Sequence, residues 1–550
     1  MKRKILKVLG ISFLVFAVLS WIIPVGTYSG GKLETSSISP IGLVDLINTP
    51  ISAMITFALY GVVFAIIGGF YGVLEETGVL GKIANGWAIR FEGREKRFLV
   101  ISIIVFSIIA SLTGLTIPLF ALVPLFAAAI FKMGFDKITA LASTVGGILV
   151  GNIGSTYGFN FTGYTKNLLS LDMNNQIWAR MIILVLLVVL LCVTVVLSSK
   201  KKENEEVSET KASSIEDDVK EIKAKGKTKK NTKSSEKKEE VKTTSKKTSS
   251  KKSGKTTKTT KTASKSSGSK NSKTTKTTKK TTKKSNTKAA AVVEDVKVIT
   301  EGKRVSAVPF AIIFVLMFIV AFVGMYNWFY SFDVSLFNDI HEAIMGVKIG
   351  GFKIFENLFH GISQLGYWSN VEFAGLLLFT SLVIKFVYRM KFNDYVEAFI
   401  GGVKKWIPTA FYVALANVVL VVLYQAMQGG TGTLVDTING TIMKTVDGFN
   451  PFVTGICAFV GSFFFNDLYY LLADMSSFIT SFDSDSLKVA GVLVQSVYAV
   501  AMMVFPTSVA LIAGLSMFDV SYGKWMKYIW KFVLIAFLLV MLVCGILTLL

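Results

Sequence analysis

Gly151-Asn152-Ile-Gly154-Ser155-Thr156 lies inside an otherwise apolar stretch, Ile138–Thr162, that also holds Gly146, Gly147 and Gly158. These residue types suit a binding site made largely of backbone. Glycine lets amides and carbonyls approach a ligand closely, and Asn, Ser and Thr add neutral donors and acceptors. The N-termini of half-helices favour an anionic group such as a carboxylate. Phe505-Pro506-Thr507-Ser508 interrupts Leu487–Ser516 in the same way, since proline removes a backbone donor and clashes with the preceding turn. Two more interruptions are Ser111-Leu-Thr113-Gly114-Leu-Thr116 within Phe98–Met133 and Asn466-Asp467 within Pro451–Ser481. The chemistry this predicts is capture of a small carboxylate-bearing solute together with a coupling ion, Na+ or H+. No nucleophile–base pair, metal-ligand cluster or phosphate-binding glycine loop points to an enzyme, a metal or a bound cofactor. The expected substrate and ion site comprises Ser111, Thr113, Gly114, Thr116, Gly151, Asn152, Gly154, Ser155, Thr156, Asn466, Asp467, Pro506, Thr507 and Ser508. Small residues also simply let helices pack tightly. Five glycines with Asn152, Ser155 and Thr156 in one stretch favour the site.

Acids inside a membrane are costly and usually functional, so Asp467 and Asp474 are candidates for proton coupling or for holding a substrate ammonium. The alternative is a shallower hairpin with both acids wet. Glu75 and Glu76, beside Lys82, read as interfacial or as an ion site, and Asn417, Gln425 and Gln495 as helix-to-helix glue or as substrate contacts. His341 and His360 read as ordinary interfacial histidines or as pH sensors, without acids to argue for a metal. Cys192, Cys457 and Cys544 have no CxxC spacing and read as packing residues.

The elements that must position these groups are membrane spans. Ile5–Ile23, Ile51–Leu74, Trp178–Leu197, Val305–Trp328, Val371–Met390, Ile407–Met427 and Tyr528–Leu550 approach or exceed the ~20 residues that cross a bilayer. Mean hydropathy is +0.56 and 52% of residues are hydrophobic, which excludes an ordinary soluble globular protein. The first run lacks a small-residue cleavage pattern and reads as an uncleaved span. Lys2, Arg3, Lys4 and Lys7 precede it, and Lys82, Arg90, Arg94, Lys96 and Arg97 follow the second span, which places both groups in the cytoplasm.

Parity then requires Phe98–Met133 to be a re-entrant helix–turn–helix and Ile138–Thr162 a broken crossing, through whose glycines no helix is expected to run smoothly. Pro451–Ser481 and Leu487–Ser516 repeat that order, entered from the opposite side. The expected fold is an all-α polytopic membrane protein with an inverted repeat, two re-entrant hairpins and two broken transmembrane helices. Residues 1–198 form one half and 305–550 the other. Paired interruptions at matching places in two halves point to a binding site at the membrane midplane.

Residues 199–304 hold about 33 Lys and Arg against about 14 Asp and Glu, most of the net charge of +23. With almost no branched aliphatic or aromatic residues between Ala224 and Lys288, this insert is expected to be a disordered cytoplasmic linker. It suits contact with anionic lipid better than nucleic-acid binding.

Several motifs carry a family resemblance. They are Trp21-Ile-Ile-Pro24-Val-Gly26, Gly68-Gly69-Phe-Tyr-Gly72-Val-Leu with Thr77-Gly78, Gly93-Arg94-Glu95-Lys96, Gly154-Ser155-Thr156, and Pro506-Thr507-Ser508 with Tyr522-Gly523-Lys524-Trp525. In this order and spacing they resemble the YfcC-type, arginine/ornithine-antiporter-like branch of the anaerobic dicarboxylate carrier family. The resemblance implies the ion transporter superfamily fold, with scaffold and transport domains, and a homodimer working by an elevator-like movement in the plasma membrane. The chain departs from that family's acidic pair in the first hairpin, its Asn-Pro after Gly-Ser-Thr and its Ser-Gly-Ser-Gly second tip. The substrate therefore stays open between an amino acid and a dicarboxylate. A rival reading is a degenerate carrier body anchoring a basic insert that recruits lipid or nucleic acid.

Overall fold

The computed structural model describes residues 2–29, 32–199, 305–426 and 432–549; the expected linker at 199–304 falls, apart from Ser199, outside them. Among the described residues, eight helices are long and apolar enough to cross a bilayer, in a mostly helical, multi-pass arrangement.

The first half opens with α1 (Lys2–Ile22) and a two-stranded hairpin, β1 (Gly26–Ser29) and β2 (Lys32–Thr35), followed by α2 (Leu43–Thr56), α3 (Ala58–Thr77) and α4 (Val79–Arg90). The apolar run Ile51–Leu74, expected as one span, is therefore divided at Phe57. Next come α5 (Glu95–Thr113), a single turn α6 (Thr116–Leu119) and α7 (Val123–Lys132). Gly114 ends α5 at φ +68°, and a β-carbon there would stand 3.0 Å from the Asn160 nitrogen, so both backbone angle and space call for glycine. Over Phe98–Met133 the chain is thus helix, turn and helix, and its first arm, α5, is long and apolar enough to cross a bilayer by itself.

α8 (Lys137–Ile153), capped by Asp136, corrects one expectation. It runs without interruption through Gly146, Gly147 and Gly151. Gly147 and Gly151 serve packing instead, because β-carbons there would stand 3.1 Å from the Ile103 carbonyl oxygen and 2.3 Å from that of Ser107 on α5. The helix breaks only at Gly154, passes through a non-helical stretch to a π-turn over Phe159–Gly163, and resumes as α9 (Tyr164–Leu169). α10 (Ile177–Ser198) closes the half.

The second half begins with α11 (Val308–Met325) and a loop carrying three short helices, α12 (Trp328–Phe332), α13 (Leu336–Met345) and α14 (Ile354–Leu358), with a small hairpin β3 (Lys348–Ile349) and β4 (Phe352–Lys353) before the last. α15 (Asn370–Val387) follows, then α16 (Phe392–Leu415) and α17 (Val418–Ala426), separated by a slight break at Ala416-Asn417. The span expected at Ile407–Met427 thus starts at Phe392. α18 (Leu434–Met443) leads to a helical hairpin of α19 (Pro451–Phe464) and α20 (Leu468–Ile479). An interrupted pair, α21 (Ser484–Ala501) and α22 (Val509–Met517), precedes α23 (Tyr522–Leu547). From α3 in the first half and α16 in the second, the order is the same: long helix, short helix, hairpin, interrupted helix, long helix.

The halves meet where α3 crosses α16. A β-carbon at Gly72 would stand 2.2 Å from the Ala398 carbonyl oxygen, and one at Gly402 would stand 2.1 Å from that of Gly68. Backbones this close gain dispersion contact that larger side chains would prevent. Lys405 Nζ of α16 reaches Glu75 Oε2 of α3 at 2.7 Å, so Glu75 pairs across this seam, while Lys82 donates to the Val305 carbonyl. The β1–β2 hairpin is pinned to α18: Gly26 N–H donates to the Thr433 carbonyl at 3.0 Å, and Thr437 Oγ1 to the Pro24 carbonyl at 2.8 Å. Cys457 and Cys544 are buried and Cys192 half-buried, all as free thiols.

Candidate functional site

The hairpin turn at Gly114 and the one at Phe465–Asp467 converge on a cavity of about 460 Å³. Leu115, Thr116, Ile117 and Pro118 come from the first tip and Asn466, Asp467 and Leu468 from the second. Asn152, Asn160 and Tyr164 come from the first interrupted helix, and Tyr498, Met502, Ser508, Val509 and Ala510 from the second. Phe57, Tyr60 and Phe64 around the α2–α3 break, and Asn417 at the α16–α17 break, form the facing wall.

Of the residues expected at the site, Thr116, Asn152, Asn466, Asp467 and Ser508 lie on this wall. Asn152 Nδ2 donates to Thr116 Oγ1 at 3.0 Å, while its Oδ1 is buried without a partner. Asn466 Nδ2 donates to Asn417 Oδ1, and the Asn466 carbonyl accepts from Tyr498 Oη at 2.6 Å. Asp467 is half-buried and caps α20, its Oδ1 accepting the Tyr469 N–H at 2.9 Å. Among the described residues, Asp467 is the only carboxylate on the wall, and no Lys, Arg or His joins it there.

The others stand behind the wall. Ser111 ties the first tip to the first interruption: its Oγ donates to the Gly154 carbonyl at 2.8 Å, and its carbonyl accepts from the N–H groups of Thr156, Tyr157 and Gly158. Thr113 Oγ1 donates to the Ile109 carbonyl, and the Gly114 carbonyl accepts from Asn160 Nδ2 at 3.1 Å. Gly151 and Gly154 are close-packed, a β-carbon on Gly154 standing 2.6 Å from Leu184. The Ser155 carbonyl accepts from Gln495 Nε2 at 3.0 Å and from Thr162 Oγ1 at 3.0 Å, and the Ile153 carbonyl from Ser496 Oγ at 2.9 Å. Gln495 is thus glue between the two interrupted helices. Pro506 breaks the second of them, and Thr507 Oγ1, 1% exposed as a residue, has no partner. Asp474 is off the wall; its Oδ1 lies 3.2 Å from Thr433 Oγ1, which also contacts Asp436 Oδ2 at 3.0 Å.

The sequence reading passed over Arg180, Asn160 and the tyrosines at 60, 164 and 498. Arg180 had a signal, a cation three residues inside an apolar span; the tyrosines had none, since aromatic residues at helical spacing look like any packed face.

A family model described as C4-dicarboxylate anaerobic carrier matches residues 3–249 and 269–549. No curated protein matches the chain.

Proposed function

We propose, because the chain belongs to the C4-dicarboxylate anaerobic carrier family, that it is a secondary active transporter whose solute bears both a carboxylate and an ammonium group. An amino acid is the simplest such solute. The observation that carries this reading is that, among the described residues, Asp467 is the lone carboxylate on the cavity wall and no basic side chain lines it. A dianion placed there would meet repulsion and no cation, which is costly in a poorly hydrated site. An ammonium would meet Asp467 and the rings of Tyr60, Tyr164, Tyr470 and Tyr498, whose faces attract cations. The solute's carboxylate would lie at the start of α22, where Ser508, Val509 and Ala510 line the cavity and the helix presents free N–H groups. The arginine/ornithine-antiporter-like branch fits the same wall.

Counterflow in proteoliposomes tests this. Vesicles preloaded with an unlabelled amino acid should take up the labelled form, and vesicles preloaded with a C4-dicarboxylate should not. Counterflow of dicarboxylates alone would overturn the reading. Repeating uptake with imposed Na+ or H+ gradients identifies the driver, or pure exchange if neither accelerates it.

In this reading the two hairpins are re-entrant, the N-terminus and residues 199–304 face the cytoplasm, and the carrier works as a homodimer in the cytoplasmic membrane. The insert's positive charge would hold it near anionic headgroups. Thr507 contributes to ion or solute binding through its unpartnered hydroxyl. Thr507→Val should therefore lower initial uptake by about tenfold, the effect of losing one hydrogen bond of about 1.4 kcal/mol. Ser155→Ala should leave uptake within about twofold, because the Ser155 hydroxyl is already spent on a long hydrogen bond to the Ser111 carbonyl at 3.3 Å whereas that of Thr507 has no partner. Uptake by Thr507→Val equal to the parent's would remove Thr507 from the site.

A further inference from the structure

The two interruptions are closed by the same device with one difference of charge. In the second half, side chains from the start of α23 reach back to the broken segment. Trp525 Nε1 donates to the Met503 carbonyl at 2.9 Å and Tyr522 Oη to the Val504 carbonyl at 2.5 Å. Both donors are neutral. In the first half the corresponding helix, α10, reaches back with Arg180, which is 1% exposed. Its Nη1 donates to the Thr156 carbonyl at 2.6 Å and to Thr162 Oγ1 at 2.8 Å. Its Nη2 donates to the carbonyls of Met173 at 2.6 Å and Asn175 at 2.5 Å.

All four acceptors are uncharged oxygens, three carbonyls and one hydroxyl: Thr156 in the break, Thr162 in the π-turn that follows it, and Met173 and Asn175 in the loop before α10. That is the donor set a hard monovalent cation takes at an unwound membrane helix. The carboxylate whose field reaches Arg180, Asp172, is exposed and accepts the Asn174 N–H at 2.7 Å; no ion pair among the described residues includes Arg180. The guanidinium instead faces carbonyl dipoles; the nearby carbonyls of Ile153, at the end of α8, and Ser155, just past it, are already held by Ser496 and Gln495. The four hydrogen bonds of Nη1 and Nη2, to three carbonyls and one hydroxyl, offset much of the cost of burying this charge without an acid, while its Nε is buried without a partner.

We infer that Arg180 is a tethered cation occupying the oxygen cage of the first interruption, where an untethered monovalent cation would otherwise bind. The inference rests on reading the chain as a carrier only for its functional meaning. It predicts that the first break needs no ion from solution, and that cation dependence of transport, where found, arises in the second half. There Thr507 Oγ1 is buried without a partner and no fixed charge reaches the break through α23.

The test uses the purified full chain in detergent and measures its thermal unfolding midpoint in NaCl, KCl, choline chloride or low-millimolar guanidinium chloride. Arg180→Ala removes the charge and the donors, while Arg180→Gln keeps a neutral donor and is the variant to use where the alanine form fails to fold. The variants should unfold at lower temperature than the parent, and guanidinium or Na+ should restore at least half of the lost midpoint relative to choline. The parent should show no such gain. Variants that respond to every salt as the parent does overturn the inference and leave Arg180 as a strut. Because no flux is measured, a failed counterflow assay leaves this result standing, and a failed rescue leaves the carrier reading standing.

Discussion

Asp467→Asn is expected to raise the half-saturating concentration of an amino acid substrate by about 10- to 100-fold, since a hydrogen bond to a charged partner contributes about 1.5–3 kcal/mol. The fold should survive. Asparagine caps a helix as well as aspartate does, so the bond to the Tyr469 N–H and the start of α20 are preserved. The same change removes the negative charge of Asp467 from the wall and should relax the exclusion of dianions, giving measurable dicarboxylate counterflow where the parent has none. Uptake by vesicles carrying the variant, normalised to folded protein, separates the outcomes. Unaltered amino acid affinity would mean that Asp467 holds no ammonium, and the substrate assignment would fall with it.

Gly402→Ala should destabilise the protein by about 3 kcal/mol or more, at the upper end of what overpacking costs. The added carbon would stand 2.1 Å from the Gly68 carbonyl oxygen and 3.0 Å from the Gly69 α-carbon, and neither backbone atom can move without parting α3 from α16. Its neighbour Gly401 provides the control. A β-carbon there meets nothing within 4 Å, so Gly401→Ala should be neutral or stabilise by up to about 1 kcal/mol through helix propensity. Midpoints of thermal unfolding in detergent read the pair. Equal midpoints would show that the helices are not as close as described.

Much of the fold was legible because interruptions inside a membrane have few permitted compositions. The runs at Phe98–Met133 and Pro451–Ser481 exceed one crossing and contain a polar or glycine break, and the hairpin turns fall at Gly114 and at Phe465–Asp467, inside those breaks. Pro506 likewise marks the second interrupted helix. The glycines of α8 misled for a physical reason: glycine admits both a break and a close neighbour, and sequence does not distinguish them until α5 is seen against Gly147 and Gly151. The early start of α16 was hidden by Asp394, Glu397, Lys404 and Lys405, which dilute hydropathy along a helix that presents Tyr395, Gly402 and Trp406 to the interior.

The candidate site was half legible. Polar residues at the tips advertised themselves. Whether a given hydroxyl faces the cavity or a neighbouring carbonyl depends on partners more than 30 residues away, as Ser111 and Thr156 show. The wall's aromatic residues are gathered only by packing between segments distant in the chain, and the burial of Arg180 among carbonyl oxygens depends on how the chain folds back after the first break.

The bond from Gln495 to the Ser155 carbonyl joins residues 340 apart in sequence. At ribosomal speeds of about 5–20 residues per second, the first broken helix is made roughly 20 to 70 s before the side chain that completes it exists. During that interval the Ser155 carbonyl has only its nearer donor, Thr162 Oγ1. The early half of this protein is therefore delivered to the membrane unfinished, and the molecule can close only after its last quarter has emerged.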